Sequence, residues 1–570
     1  MKNLSPEVEL LLCCARIYLD AEKISKINAL LKQNINWEYL ISTARLNKIL
    51  PLLYWHLNSI CPEAVPETYL NYLKYYFLKN SQSNLYLTRE LHRLLNLFNA
   101  NGIPVLPYKG PTLASSVYGN LALRVFSDLD ILVHKEDFLK IKNLLLSNGY
   151  YSEHQMSTSQ EKAYLKYYCD YSFDRDDDIY LEIHWDILHN YFSFPFDTKY
   201  FWERSKRIVL GSETVSTLSP EILLIVLCTH GAKNCWEMMG WICDVAELIN
   251  ANENLDWDWV VKQTEKLYIK RILFLGLFLA NDLLGANIPK EVLEEVQREH
   301  IFKKIASNIY VWLFEPDKGG LGLFDTVLFQ LKVRERLLDK ILYFFRFVLT
   351  PSFGDWQFVQ LPEPMFFIYY LIRPFRLIGK YIFRLFGGKS LSKYEKTPIE
   401  VIDKMLELSR VKPGDVVYDL GSGDGRIVIR AAKNYGIQCV GVDSNPQRIA
   451  ESKINAKKAG VEKLVRFIQQ DAMSTDFSSA TVVTCFLNLS VSHKVGLLLQ
   501  KQLHAGARVV SHCSYIQKWT PTETILFPDK SGSIHTLYLW TIDKPITNTA
   551  CETEHKLLSS ITKQKLLTSK

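Results

Sequence analysis

Asp419-Leu420-Gly421-Ser422-Gly423-Asp424-Gly425-Arg426 stands between an apolar run, Val416–Leu420, and a helical pattern that begins at Arg426. Three glycines in five residues at a strand-to-helix turn let a ligand approach the backbone where helix N–H groups point outward. A plain tight turn looks the same in isolation, so the neighbourhood decides. Outward from it the text alternates: strands over 416–420, 438–443, 465–469 and 481–487, with helices over 426–435 and 446–460. That alternation predicts a parallel, doubly wound α/β sheet of Rossmann-like type. Asp443 closes the second strand about twenty residues after the turn, where a carboxylate can accept both hydroxyls of a ribose. A second acid, Asp471, follows the third strand.

The turn DLGSGDGR, the run GVDSNP and the run QQDAM, in that order, resemble the ordered motifs of the class I, seven-strand methyltransferases over 397–543. The resemblance implies S-adenosylmethionine as cofactor. It places Gly421 and Gly423 along the methionine moiety, Asp419 at its amino group, Asp443 at the ribose, and Asp471 with Ala472 at the adenine. The flanks Lys396-Thr397-Pro398, Cys485-Phe486-Leu487-Asn488-Leu489 and Trp519-Thr520-Pro521 resemble protein lysine methyltransferases related to those that modify a membrane ATP-synthase subunit. On that resemblance Thr397 joins the cofactor-binding set, and the acceptor is a protein or another amine-containing molecule, methylated on lysine or another amine nitrogen. Phe486 stands where that family has tyrosine. A small-molecule acceptor is the alternative. No Asn-Pro-Pro-Tyr or Asp-Pro-Pro-Tyr occurs, which argues against adenine and glutamine acceptors. Positioning a neutral amine in line with a sulfonium supplies most of such a rate, so the reading requires no base visible in the sequence.

The first two thirds read differently. Helical periodicity fills the first hundred residues, short β-like runs follow at 103–106, 129–133 and 179–184, and helices return over 220–284 and 302–347. This predicts an α+β domain with a small mixed sheet and many helices. Asp128 and Asp130 enter the second run two residues apart, so strand alternation puts both carboxylates on one face. Paired acids of this kind suit Mg2+ carrying the phosphates of a nucleoside triphosphate; a turn with a solvated strand face is the plainer alternative. Lys109-Gly110, Arg124-x-x-Ser127-Asp128-x-Asp130 and Leu181-Glu182-Ile183-His184-Trp185 resemble an uncharacterised, polymerase-β-like nucleotidyltransferase family. By that resemblance Asp128 and Asp130 hold metal and Glu182 is the third catalytic carboxylate. Lys109, Gly110, Arg124 and Ser127 then meet the nucleotide. Lys109-Gly110 replaces the family's Gly-Ser, and the gap to Asp128 is longer than usual, so a non-catalytic scaffold or substrate-binding module is the alternative for this domain.

A chain of 570 residues exceeds what one core supports, and three segments are expected. They are a nucleotidyltransferase-like domain over 1–388, a methyltransferase domain over 389–545 and a disordered tail over 546–570. Composition is that of a folded protein, with 48% apolar and 22% charged residues, and a net charge of +6 announces no nucleic-acid partner. Eleven scattered cysteines without a CxxC pair read as reduced thiols, and Glu7 and Glu9 interrupt any export signal, so the cytoplasm is the expected compartment. One helix, 365–386, is apolar apart from a stripe of Arg373, Arg376, Lys380 and Arg384. It is expected to lie between domains with its cations reaching water, a peripheral membrane contact being the alternative.

Overall fold

A computed structural model describes residues 4–152, 156–175, 179–186, 199–314, 321–359, 361–386, 396–486, 489–513, 515–516, 519–529 and 534–543. The expected tail over 546–570 and most of the Gly387–Lys396 linker lie outside these residues. The described residues form two compact units, the first reaching Leu377 and the second starting at Ile378.

The first unit is built on a mixed five-stranded sheet. Its strands are β1 (Val105–Pro107), β2 (Asp128–Val133), β3 (Tyr151–Ser152), β4 (Asp170–Arg175) and β5 (Ile179–His184), ordered β1-β2-β5-β4-β3. Only β2 and β5 run parallel, with Asp128 opposite Tyr180 and Asp130 opposite Glu182. Leu129, Ile131 and Val133 on β2 and Leu181 and Ile183 on β5 are buried in one apolar core with the long helix Glu67–Ala100. A separate hairpin, β6 (Ser205–Leu210) with β7 (Glu213–Leu218), precedes the buried helices Pro220–Lys233, Met239–Asn250 and Lys270–Leu284.

The basic-stripe helix departs from expectation. Residues 363–368 form a 3-10 turn, and the α-helix spans Tyr369–Phe386 with Pro374 inside it. Arg373 and Arg376 do not reach into water. Both pair with Asp355, which is fully buried and also accepts hydrogen bonds from the backbone and hydroxyl of Ser352 at 2.7 Å. Burial opposes the Asp355 charge, and these four donors outweigh it and hold the carboxyl below its ordinary range. A buried carboxylate needs such partners, and two arginines one helical turn apart provide them. The apolar face with Phe367, Leu371, Phe375 and Ile378 stays exposed. Among the described residues no helix is long and apolar enough to cross a membrane.

The second unit carries seven strands: β8 (Val416–Leu420), β9 (Gln438–Asp443), β10 (Val465–Gln469), β11 (Val482–Cys485), β12 (Arg508–His512), β13 (Glu523–Pro528) and β14 (Ile534–Thr541). Their order is β10-β9-β8-β11-β12-β14-β13. The first four are mutually parallel as expected, β12 joins them in parallel beside β11, and β14 runs antiparallel to both β12 and β13. One face packs on the helices Ile399–Leu408 and Arg426–Tyr435, the other on Leu489–Gln502. The strand order reverses between β8 and β11, and in such sheets ligands bind outside the carboxyl ends of the strands at that switch point.

Candidate functional site

The glycine turn begins where β8 ends, at the switch point. Gly421, Gly423 and Gly425 have φ of +74°, +53° and +80°, left-handed values that residues with a Cβ rarely adopt. Gly421 and Ser422 donate to the carbonyl of Val442 at 2.9 and 3.0 Å, which ties the turn to the end of β9. Asp443 is half-buried there. Its Oδ2 accepts from Gly423 N–H at 2.9 Å and its Oδ1 from Asn445 N–H at 2.8 Å, so the carboxylate is oriented before any ligand arrives. Phe467 on β10 fills the space behind the turn. A Cβ on Gly425 would come within 2.8 Å of its ring, and one on Gly441 within 2.7 Å.

Asp419 is buried at the end of β8 and accepts a hydrogen bond from the Thr484 hydroxyl at 2.8 Å. Burial, reinforced by the charges of Asp443 and Asp424 and opposed by Thr484, pushes its carboxyl up to about 7. A cationic amino group delivered beside it would restore its ionised form. Asp471 caps the short turn Ala472–Ser474 through Met473 N–H at 2.9 Å, with Ala472 buried behind it. Thr397 is buried on the other side of the glycine turn. Its carbonyl accepts from Arg426 Nη1 at 2.9 Å, and the same guanidinium chelates Asp424. All seven expected cofactor residues thus belong to this one unit, four of them at the ends of β8 and β9 or in the loops that follow them, and Asp471 and Ala472 after β10. The glycine cradle, the oriented Asp443 and the buried Asp419 suit the ribose and amino group of S-adenosylmethionine.

The strand ends beside the glycine turn hold further groups, outside the expected cofactor set. Cys485 lies opposite both Leu420 and Ser511, so Phe486 and His512 extend from neighbouring strand ends. Their ring centroids are 4.2 Å apart. His512 Nε2 is 2.7 Å from His535 Nδ1, and His535 Nε2 is 2.9 Å from Asp529 Oδ2. Burial works against a charged His535, but Cys513 and Asp529 outweigh it and raise its pKa above the ordinary histidine value. Sequence offered one hint, since His512 closes a strand whose carboxyl end faces the cleft. His535 and Asp529 are brought to it by the β13–β14 hairpin, a pairing no local pattern announces.

In the first unit Asp130 is buried on β2. Its Oδ1 lies 3.0 Å from Lys109 Nζ and 3.2 Å from His184 Nε2, and the same His184 nitrogen is 3.1 Å from Glu182 Oε2. Burial opposes the Asp130 charge, yet Lys109 and His184 hold its carboxyl well below the usual range. His184 is driven the other way, well above the ordinary histidine value, because Asp130, Cys169 and Glu182 outweigh its burial. Asp128 shares the strand face but is raised, by burial first and then by the charge of Asp130. Asp130 Oδ2 is buried with no hydrogen-bond partner, an open ligand position for a hard cation.

Gly110 has φ +52°, and a Cβ there would stand 3.0 Å from the Asp128 carbonyl oxygen. This glycine lets the Lys109 backbone close on β2. Arg124 makes a two-pronged pair with Asp244, at 2.8 and 2.9 Å, and Tyr118 donates to the same carboxylate at 2.8 Å. Its remaining nitrogen, Nη1, is buried without a partner. Lys109, Arg124, Asp128, His230, Asn234 and Asp244 line one cavity of about 200 Å³. Lys109, Arg124 and Asp128 therefore share a cavity, Asp130 and Glu182 join them through Lys109 and His184, and Ser127 is exposed at the edge. His184 bridges two of the three expected carboxylates.

The two units match known proteins separately. Residues 33–285 match the model of a family described as an uncharacterised nucleotidyltransferase, and residues 419–523 match the ANTKMT methyltransferase domain. A protein-lysine N-methyltransferase of Saccharolobus islandicus is 43% identical over 150 residues, which cover 26% of this chain and 92% of that protein. The adenine nucleotide translocase lysine N-methyltransferase of Mus musculus is 34% identical over 22% of this chain and 54% of its own length. The chain spans about half the length of that mammalian relative. An RNA methyltransferase from Salinibacter ruber, solved with S-adenosyl-L-homocysteine, shows 46% identity over 27% of this chain and 97% of its own, with a TM-score of 0.25.

Fold, glycine cradle and matches together define a class I, S-adenosylmethionine-dependent methyltransferase joined to a nucleotidyltransferase-like domain. Through its second unit the chain belongs to the protein-lysine N-methyltransferase family.

Proposed function

We propose that the second unit methylates the side-chain amine of lysine in a protein. The carrying observation is the pre-oriented glycine turn: Asp443 fixed by Gly423, Asp419 buried below, and Phe486 tilted against His512 at the neighbouring strand ends. Bound S-adenosylmethionine supplies the electrophilic methyl group. Asp443 would hold its ribose, Asp471 and Ala472 its adenine, and Gly421, Gly423, Asp419 and Thr397 its methionine part. An apolar ring at Phe486 suits the aliphatic stem of lysine, leaving the nitrogen to be aligned with the sulfonium. The test is transfer of labelled methyl from S-adenosylmethionine by the full chain, followed by mass spectrometry of protein, RNA and small-amine fractions. Methyl-lysine in protein is expected; label confined to RNA or to small amines would overturn the reading.

For the first unit the supported reading is a nucleoside triphosphate pocket with Mg2+ on Asp128 and Asp130, Glu182 as the third carboxylate, and Lys109, Gly110, Arg124 and Ser127 toward the phosphates. The open Asp130 Oδ2 and the unpaired Arg124 Nη1 support it. The scaffold reading is supported by the same site's internal neutralisation: Lys109 and His184 already balance Asp130, and Asp244 already balances Arg124. ATP binding measured with and without Mg2+ separates the two. The exposed apolar face of Tyr369–Phe386 supports peripheral contact with a membrane, and flotation with anionic vesicles tests it.

A further inference from the structure

Lysine reaches an enzyme at neutral pH as an ammonium, which has no lone pair to attack a sulfonium methyl. A methyltransferase that acts near neutrality gains by removing that proton at the cleft. The second unit contains a row of groups suited to this at its lip, outside the cofactor residues.

His512 closes β12 and is 3% exposed. Beyond it the chain turns sharply, with Cys513 at φ +57°, a left-handed value costly for a residue with a side chain. Cys513 N–H donates to the Thr536 carbonyl at 2.7 Å, which locks the turn against β14 and brings His512 beside His535. The spacing of 2.7 Å between His512 Nε2 and His535 Nδ1 is that of a hydrogen bond. Two ring nitrogens on one tetrahedral metal ion, each about 2.0–2.1 Å from it, would stand roughly 3.3 Å apart. At this spacing the two rings can share a proton, although His512, Cys513 and His535 also stand close enough together to hold a metal ion. Asp529 accepts on the far side of His535, with 14% of the His535 side chain and 7% of the Asp529 side chain exposed.

The near side is less committed. Among the described residues His512 Nδ1 meets the buried Thr397 hydroxyl, at 3.4 Å, and Thr397 in turn is held to the glycine turn through Arg426. Phe486 covers the His512 ring face. The charged and titratable groups around the row are Asp529, Cys513 and, one step away, Arg426 with its partner Asp424.

Building on the lysine-methyltransferase reading, we propose that His512 takes the proton from the acceptor ammonium and that His535 and Asp529 pass it to solvent. In the step, an N–H bond of the ammonium breaks and an N–H bond forms at His512 Nδ1. The His512 Nε2 proton moves to His535 Nδ1, and the His535 Nε2 proton moves toward Asp529 and out to water. The freed lone pair then forms the N–C bond as the S–C bond breaks. The products are a methylammonium, neutral S-adenosylhomocysteine and one proton in solution. His512 is the acceptor of the proton, and His535 and Asp529 are positioning residues behind it.

The test uses the full chain with labelled S-adenosylmethionine and poly-L-lysine as acceptor, from pH 6 to pH 10. For the wild type we expect a rate that holds toward neutral pH. For His512→Gln we expect a loss on the order of 100-fold near pH 7 that closes as pH approaches the lysine range of about 10. S-adenosylmethionine affinity by calorimetry should stay within twofold of the wild type. Asp529→Asn should lower the midpoint of the His535 imidazole followed by NMR without cofactor, because Asp529 is one of the groups that raise it. Parallel pH profiles for wild type and His512→Gln, an unmoved imidazole midpoint in Asp529→Asn, or a stoichiometric metal ion in the purified chain would each overturn the relay while leaving lysine methylation standing. A wild-type chain that methylates neither poly-L-lysine nor cellular protein would overturn the lysine reading itself, and the relay with it.

Discussion

The two units treat their acidic residues in opposite ways. In the methyltransferase cleft Asp443 is oriented by two backbone N–H groups and meets no cation, and Asp419 is buried without a counterion among its partners. In the first unit two central charges are matched, Asp130 by Lys109 and His184 and Arg124 by Asp244, while Asp128 is raised by burial and by Asp130. The first arrangement leaves the charge for a ligand to complete. The second is complete in charge except for single atoms, Asp130 Oδ2 and Arg124 Nη1. Residues of the right type in the right order thus describe two different electrostatic states, and only the contacts separate them.

The largest break in this comparison comes from removing one half of a matched pair. Arg124→Ala would leave Asp244 buried and uncompensated, so it is expected to destabilise the first unit by about 3–5 kcal/mol while S-adenosylmethionine binding is retained. Urea unfolding of the full chain checks this, and a change below about 1 kcal/mol would mean that the pair is not structural. In the cleft the same kind of deletion should act on binding. Asp443→Ala is expected to weaken S-adenosylmethionine by about 1.5–3 kcal/mol, through lost charged hydrogen bonds, with little change in melting temperature of the free protein. Calorimetry reads both quantities.

Asp130→Asn tests whether the neutralised cluster still works as a metal site. It is expected to remove any Mg2+-dependence of ATP binding, at least tenfold, and to leave the methyltransferase cleft unchanged. Equal ATP affinity in the wild type with and without Mg2+ would instead establish the scaffold. A further effect expected is one of pH. Asp419 keeps its proton up to about 7 in the folded chain but loses it near 4 when unfolded, so the folded state binds more protons between those values. Stability of the second unit should therefore decline as pH rises from about 4 toward 7. Asp419→Asn should flatten that decline, measured on the calorimetric transition that S-adenosylmethionine shifts.

Much of the second unit could be read in advance because its elements are local. The strands at 416–420, 438–443 and 465–469 and the helix 426–435 have the expected limits, since each apolar run is bounded by a glycine turn or an acid. The antiparallel β14 was not legible, because direction is set by a pairing partner distant in sequence. In the first unit β5 had its expected limits, whereas β4 (Asp170–Arg175) was missed, although Tyr171 and Phe173 alternate with Asp170, Ser172 and Asp174: the run holds only two apolar residues. The inward turn of Arg373 and Arg376 was hidden for a similar reason. A basic stripe looks the same whether it faces water or one buried aspartate eighteen or more residues earlier. Asp355 carries no mark of its burial in the sequence.

Phe467 behind the glycine turn links three positions into one heritable character. Its ring occupies the volume that side chains at Gly425 and Gly441 would need, so replacing either glycine by alanine collides with the ring, at 2.8 and 2.7 Å. Trimming the ring to leucine would open the space but withdraw packing from both loops. Neither change is easy first, yet at position 441, where no left-handed φ is required, the pair could be exchanged together if the Ser422 hydroxyl, 2.9 Å from the added Cβ, also gives way. A double-mutant cycle between Gly441→Ala and Phe467→Leu should consequently show strong coupling, with the combined variant less damaged than the sum of its parts. Lineages carrying this turn would then differ at 441 and 467 in concert, while Gly425, held by its φ of +80°, stays constant.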